Sequence, residues 1–309
     1  MNTFSIAIHG GAGTLVKGMM TPELVNQYKV ALKEALDAGY IVLENGGTSV
    51  DAVEKAVVVL EDSHLFNAGK GSVFTADETH EMDASIMNGK NLNAGAVSLI
   101  SGIKNPISLA LAVMEKSEHV FLAGDGAMKF AKMNNFANKE SSYFYDEFRH
   151  KQWLEIKDTD SFQLDHAKKK DSKFGTVGAV ACDKDGNIAA ATSTGGMTNK
   201  RFGRVGDSPM IGAGNYANNK TCAISCTGSG EFFIRGVVAY DVACLIEHKE
   251  MSLDAASKEV IHKRILEIGG DGGLIAVDTK GNIAMPFNTE GMYRATKSSN
   301  GKEEISIYK

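Results

Sequence analysis

The chain has 309 residues, 43% apolar and 23% charged, and its 33 basic and 38 acidic side chains leave a formal charge of 33 − 38 = −5. Such a chain can bury a substantial core in one large α/β domain or two smaller ones. It is not a disordered polymer, and it has no general attraction for nucleic acid or an anionic membrane. Four cysteines are too few for a disulfide framework, and no apolar run approaches the roughly 20 residues of a membrane span. Met1 to Phe4 has neither a basic nor an apolar signal region, so a cytoplasmic protein is expected. The unusual quantity is glycine, with 33 residues gathered in clusters.

Phe4 to His9 alternates apolar and small residues and then enters Gly10-Gly11-Ala12-Gly13, which predicts a strand breaking into a glycine loop. Thr21-Pro22 opens a helix whose stripe is Leu24, Tyr28, Leu32 and Leu36, stopped by Gly46-Gly47. Thr48 and Asp51 form a capping box for a second helix, with Val50, Val53, Val57 and Leu60 on one face. From Met82 the period becomes two, and Asn88-Gly89 predicts a tight hairpin turn. Asn105-Pro106 starts a helix ending near Ser117, and residues 132–173 read as a polar, irregular linker that ends in the lysine run Lys168–Lys173. Two further hairpins follow, 177–182 with 188–193 around Asp185-Gly186, and 274–278 with 283–287 around Lys280-Gly281. They share turn residues at an offset of 95, and helices over 231–248 and 252–267 lie between them. Hairpins in both halves, interleaved with helices, predict largely antiparallel sheets covered by helices.

Several familiar chemistries find no support. The glycine loop lacks G-x-G-x-x-G order, no phosphate-binding loop occurs, and His80-Glu81 is followed by Ala84 where a zinc helix needs histidine. Cys222 and Cys226 share one face of a strand and read as core. No serine stands in G-x-S-x-G. What remains is a set of hydroxyls beside glycines: Gly175-Thr176-Val177-Gly178, Ser193-Thr194-Gly195-Gly196 and Thr227-Gly228-Ser229-Gly230, with Gly203-Arg204-Val205-Gly206-Asp207-Ser208 between them. Hydroxyls and backbone N–H groups at strand ends can converge on one anionic intermediate.

These runs, together with His9-Gly10-Gly11-Ala12-Gly13, Phe66-Asn67-Ala68-Gly69 and Asn288-Thr289-Glu290-Gly291-Met292-Tyr293, resemble the plant-type asparaginase/isoaspartyl peptidase family of N-terminal-nucleophile (Ntn) hydrolases in order and spacing along nearly the whole chain. The resemblance implies an α+β fold, a four-layer αββα sandwich. It also implies a single domain, 1–309, that cuts itself between Gly175 and Thr176 into a 1–175 α chain and a 176–309 β chain. The chemistry agrees: a threonine hydroxyl needs a base, and cleavage frees on the same residue an α-amino group of reference pKa about 7.7–8.0. The 132–173 linker would let the new chain end swing away.

By the same resemblance Thr176 is the nucleophile and Thr194 hydrogen-bonds and orients it. Arg204 and Asp207 hold the substrate's α-carboxylate and α-amino groups, Thr227 and Gly228 form the oxyanion site, and Gly230 touches substrate. No catalytic metal or cofactor is implied; a structural sodium ion held by backbone carbonyls of the 60–70 loop is. Expected substrates are L-asparagine and β-aspartyl dipeptides, and the expected assembly is a dimer of processed pairs that binds neither nucleic acid nor membrane. Asn67 and the His9–Gly13 loop fall near the site without assigned chemistry. Two alternatives stand beside this reading, a glycosylasparaginase on the same scaffold and an unprocessed amino-acid-binding protein.

Overall fold

The computed structural model describes residues 3–159 and 175–309. Strand β1 (Ser5–Gly13) is the expected first strand, continued through the glycines and buried throughout. Helix α1 (Pro22–Glu44) begins where Thr21 accepts the Leu24 N–H at 3.3 Å. Helix α2 (Ser49–Glu61) begins at the predicted capping box, with Thr48 Oγ1 accepting from Asp51 N at 3.2 Å and Asp51 Oδ2 accepting from Thr48 N at 3.3 Å. Both caps satisfy donors that a first helical turn leaves open.

Strands β2 (Met82–Asn88) and β3 (Ala94–Ile100) pair antiparallel. Their connection is residues 89–93, longer than the tight turn expected at Asn88-Gly89: the Asn88 N–H reaches the Asn93 carbonyl at 2.8 Å, and Leu92 takes the left-handed step at φ 62°. Helix α3 (Pro106–Lys116) leads into a short parallel strand, β4 (Phe121–Ala123), and helix α4 (Gly124–Met133), neither signalled by periodicity. The supposed linker is structured as far as residue 159. Helix α5 (Glu147–Leu154) buries Trp153, and Phe144 joins the main core, so a few aromatic anchors outweigh the polar composition. The remainder, including Lys168–Lys173, lies outside the described residues.

After Thr176 come β5 (Val177–Cys182), β6 (Ile188–Thr194), β7 (Asn215–Ala217) and β8 (Ala223–Gly228). The helix expected over 231–248 is two, α6 (Gly230–Gly236) and α7 (Val238–Lys249), because Val237 turns left-handed at φ 47°. That over 252–267 is α8 (Leu253–Glu259) and α9 (Ile265–Glu267), joined by a π turn over Val260–Arg264. The last strands are β9 (Gly272–Val277), β10 (Ile283–Ala284), β11 (Gly291–Ser298) and β12 (Glu303–Tyr308). The β5–β6 and β9–β10 turns are alike. Gly186 and Gly281 donate to Asp183 and Asp278 carbonyls at 3.0 Å in both cases, with φ 79° and 78°.

The fold is therefore mixed α/β, with two sheets among the described residues. One runs β12-β11-β1-β5-β6-β2-β3-β4 and the other β10-β9-β8-β7, and only the β3–β4 pair is parallel. Alternation sends Ala179, Ala181, Ala189 and Ala191 toward Leu36 of α1 and Val53 and Val57 of α2. The alternate residues, Val180, Cys182, Ile188 and Ala190, face Ala223, Ile275 and Val277 of the smaller sheet. Cys222, Ile224 and Cys226 on that sheet's far face pack with Val242 of α7 and Ala256 of α8, so both cysteines are core residues. No helix of the described residues is long and apolar enough to cross a membrane.

The sheets approach closely at Gly178, where a Cβ would stand 1.9 Å from Ser225 Oγ of the other sheet and 2.5 Å from Nε2 of His9 on the neighbouring strand. Gly178→Ala is expected to destabilise the protein by about 1–3 kcal/mol through overpacking, visible as a lowered Tm in a thermal melt. A wild-type Tm would mean that the sheets part freely there.

Candidate active site

Thr176 precedes β5, where the ends of strands from both sheets meet, and is 8% exposed. Its Oγ1 lies 3.2 Å from Ser208 Oγ, and its carbonyl accepts a hydrogen bond from His9 Nδ1 at 3.0 Å. Burial pushes the His9 pKa down to about 3 despite that bond, so the ring is neutral. Because a carbonyl only accepts, the ring proton sits on Nδ1, and Nε2 takes the hydroxyl proton of Ser225 at 2.9 Å. Ser225 then accepts from Thr192 at 2.7 Å, and Thr192 accepts from Asn215 Nδ2 at 3.2 Å. A line of hydrogen bonds with one direction thus runs from β7 through β6, β8 and β1 to the Thr176 carbonyl.

Gly175 is held between the β1 glycine turn and β8. A Cβ on Gly11, itself at φ 112°, would stand 2.6 Å from Gly175 N, and a Cβ on Gly175 would stand 3.0 Å from Thr227 Oγ1. The Thr227 hydroxyl oxygen is buried without a hydrogen-bond partner among the described residues. A polar atom left that way costs about 1–3 kcal/mol unless something enters to satisfy it. Gly228, next along, has φ 146° and would press a Cβ to 2.4 Å from the Asp271 carbonyl, so only glycine fits.

Asp207 lies beside Ser208 and is almost fully buried. Burial pushes its pKa up to about 7 against the pull of Arg204, and its Oδ2 has no hydrogen-bond partner among the described residues. Glycines make room for this carboxyl, since a Cβ on Gly230 would lie 2.8 Å from Oδ1 and one on Gly214 2.9 Å from Oδ2. The Arg204 fork is engaged: Nε and Nη2 donate to Glu231 Oε1 and Oε2 at 2.8 and 2.9 Å. Burial works to raise the Glu231 pKa, but the guanidinium outweighs it and holds the carboxyl below its ordinary value.

Thr194 ends β6, where its hydroxyl accepts the Gly196 N–H at 3.0 Å, and the described hydroxyl partner of Thr176 is Ser208 instead. Asn67 pins the adjoining glycines, donating to the Gly196 carbonyl at 2.7 Å and accepting from Gly195 N at 3.0 Å. The loop carrying Asn67 turns carbonyls inward: Cβ atoms on Gly69 and Gly71 would meet the Glu61 oxygen at 2.4 Å and the His64 and Phe66 oxygens at 2.7 and 2.1 Å. Carbonyl oxygens are the donor type a hard cation takes. Beneath the site, buried Lys200 donates to the Arg204 carbonyl at 3.4 Å and stands 3.5 Å from Glu81.

The fold therefore gathers Gly175, Thr176 and Thr227 around one peptide bond, and Arg204, Asp207 and Gly230 around one carboxyl. The adjacency of Asp207 and Ser208 joins the two groups. Sequence reasoning missed Ser208 and Glu231, although each sits next to a residue it singled out. It also left His9 without a role, since the Ser225 partner is 216 residues away and gives no local signal.

The family model described as asparaginase matches residues 2–307. Over 312 aligned residues the chain is 48% identical to the isoaspartyl peptidase of Salmonella typhimurium, with 100% of each covered. It is 43% identical to the plant-type L-asparaginase of Pyrococcus furiosus, covering 97% of this chain and 98% of that one. It is 42% identical to the isoaspartyl peptidase/L-asparaginase of Xenopus laevis, covering 93% and 90%. With these matches running through every element of the site, the chain belongs to the asparaginase family.

Proposed function

We propose that this protein is an autoprocessing threonine amidohydrolase that cleaves the side-chain amide of L-asparagine and the isopeptide bond of β-aspartyl dipeptides. The names of its relatives support that substrate range. The observation that carries the mechanism is the lodging of the Gly175–Thr176 bond between Gly11 and the unpartnered Thr227 hydroxyl. On this reading the fold is the four-layer αββα sandwich of Ntn hydrolases, and the single domain becomes two chains.

In processing, Thr176 Oγ attacks the Gly175 carbonyl carbon, the peptide C–N bond breaks, and its nitrogen leaves as the Thr176 amine. Water then hydrolyses the ester. The His9 line fixes the Thr176 carbonyl, and Ser208 holds the hydroxyl. In turnover the freed α-amine accepts the Thr176 hydroxyl proton as Oγ attacks the substrate's β-carbonyl. Thr227 Oγ–H and Gly228 N–H receive the oxyanion, and removing one such donor costs about 100–1,000-fold. Ammonia or an amino acid departs with that proton, and water cleaves the aspartyl ester. Asp207 takes the substrate's ammonium with its unpaired Oδ2, Arg204 takes the α-carboxylate, Gly230 leaves them room, and Thr194 shapes the turn beside the nucleophile. We further propose a cytoplasmic dimer of processed pairs. A sodium ion held by carbonyls of the 60–70 loop would order that loop and the Asn67 contact to Gly195, with no part in bond cleavage.

Intact mass spectrometry should find two chains, of 175 and 309 − 175 = 134 residues, with Thr176 at the second N-terminus. Thr176→Ala should remain one chain with less than about one ten-thousandth of wild-type activity. An unprocessed yet active Thr176→Ala would overturn the assignment. Ammonia release from asparagine and leucine release from β-aspartyl-leucine are both expected, and preference for glycosyl-asparagine would move the protein to the glycosylasparaginase reading.

The pH profile has a definite sign. Protonation of Asp207, near pH 7, removes its grip on the ammonium, and protonation of the Thr176 amine, near its reference of about 7.7–8.0, removes the base. Log kcat/KM should therefore fall with a slope approaching two below pH 7, whereas log kcat, with Asp207 already ion-paired to substrate, should fall with a slope of one. A slope of one in both would remove Asp207 from substrate binding. For the cation, Tm should be higher in sodium chloride than in equimolar choline chloride, and equal values would argue against the ion.

A further inference from the structure

We propose that Glu231 is the resident counter-ion of the α-carboxylate site: it occupies the Arg204 fork when the site is empty and yields it to the entering substrate. On that basis it sets affinity for the amino-acid end of the substrate without contributing to amide cleavage. The inference rests on the reading above that Arg204 receives the α-carboxylate.

Glu231 makes the bidentate contact a ligand carboxylate would make, with Nε–Oε1 at 2.8 Å and Nη2–Oε2 at 2.9 Å. The other end of the guanidinium is backed by the loop, since a Cβ on Gly206 would stand 2.8 Å from Nη1. The edge formed by Nε and Nη2 is the one that donates to a half-exposed carboxylate. The two partners also differ in mobility. Arg204 has 20% of its side chain exposed and its main-chain carbonyl tied to buried Lys200, whereas Glu231 has 46% exposed. Its carboxylate borders water, and a half-exposed ion pair is weak enough to exchange. Gly230, directly before it, separates the Arg204 fork from Asp207: a Cβ there would lie 3.0 Å from Nη2 and 2.8 Å from Asp207 Oδ1. The leaving carboxylate and the entering amino-acid end therefore meet at one place.

The test is Glu231→Gln in the full, processed enzyme, with processing checked on a denaturing gel. Expected are a KM for L-asparagine and for β-aspartyl-leucine about three- to tenfold lower than wild type and a kcat within about twofold. The inhibition constant of L-aspartate should fall in parallel. The inhibition constant of 3-aminopropanamide, which lacks the α-carboxylate, should not change. Glu231→Asp, with a shorter stem that loosens the pair, should fall between wild type and Glu231→Gln. A KM at or above wild type in whichever variant processes overturns the proposal and makes Glu231 a support that orients Arg204. Arg204→Gln separates the two levels. If it leaves KM unchanged, the carboxylate-site reading itself fails; if it raises KM while the Glu231 variants do not lower it, only the present proposal fails.

Discussion

The contact on which the site depends is the one His9 makes between the two sheets. Its imidazole lies where β1 of the larger sheet faces β8 of the smaller, and each ring nitrogen has a partner of fixed polarity, the Thr176 carbonyl on one side and the Ser225 hydroxyl on the other. Full burial keeps the ring neutral, and neutrality gives the line of hydrogen bonds its direction. A charged imidazole would need an acceptor at Nε2 and would turn Ser225 around. The close approach that allows the contact comes from small residues, above all Gly178 between His9 and Ser225. Sheet packing and the placement of the Thr176 carbonyl are consequently one constraint, satisfied or lost together.

Around that fixed point the site leaves polar atoms deliberately short of partners. Thr227 Oγ1 and Asp207 Oδ2 are both buried and without partners among the described residues, and burial is the largest cause of the upward shift at Asp207. Such atoms weaken the empty protein and favour any molecule that supplies a carbonyl oxygen to the first and an ammonium to the second. Arg204 follows a different pattern, since its charge is already compensated by Glu231. On the proposed reading, Asp207 would gain a partner when an ammonium binds, whereas at Arg204 an incoming carboxylate would replace one.

How much of this was legible in the sequence depended on the range of the interactions. The caps at Thr21 and Thr48, the paired Asp-x-x-Gly turns at 183–186 and 278–281, and the alternation placing Cys222 and Cys226 in a core are local, and each was readable. The gathering of Thr176, Thr227, Arg204 and Asp207 was anticipated only through resemblance, because no local pattern shows that residue 176 lies beside 227. The failures share a cause. A single left-handed residue, Val237, divides a helix whose apolar pattern runs on without a break, and a π turn at Val260–Arg264 leaves no mark on composition. Polar composition concealed α5, whose place is secured by Trp153 and nearby Phe144. Ser208 and Glu231 escaped notice because their partners, Thr176 and Arg204, are distant in sequence and their residue types are ordinary at a turn and a helix start.

The same electrostatics bears on which isoaspartyl bonds the proposed enzyme can open. A buried carboxylate with an unpaired oxygen makes a site that strongly rejects a ligand lacking the matching donor, because the rejected ligand leaves the protein group desolvated and uncompensated. Within a polypeptide, an isoaspartyl residue carries an acylated α-nitrogen, which is uncharged and bulkier than an ammonium. Gly230 and Gly214 lie close against the Asp207 carboxyl, where a Cβ on either would crowd it. If Asp207 takes the ammonium as proposed, the substrate must present a free α-amino group, as free asparagine and β-aspartyl peptides with the aspartyl residue at the N-terminus do. Specificity on this account arises from a buried Asp207 oxygen with no partner among the described residues, and needs no contact with the leaving group.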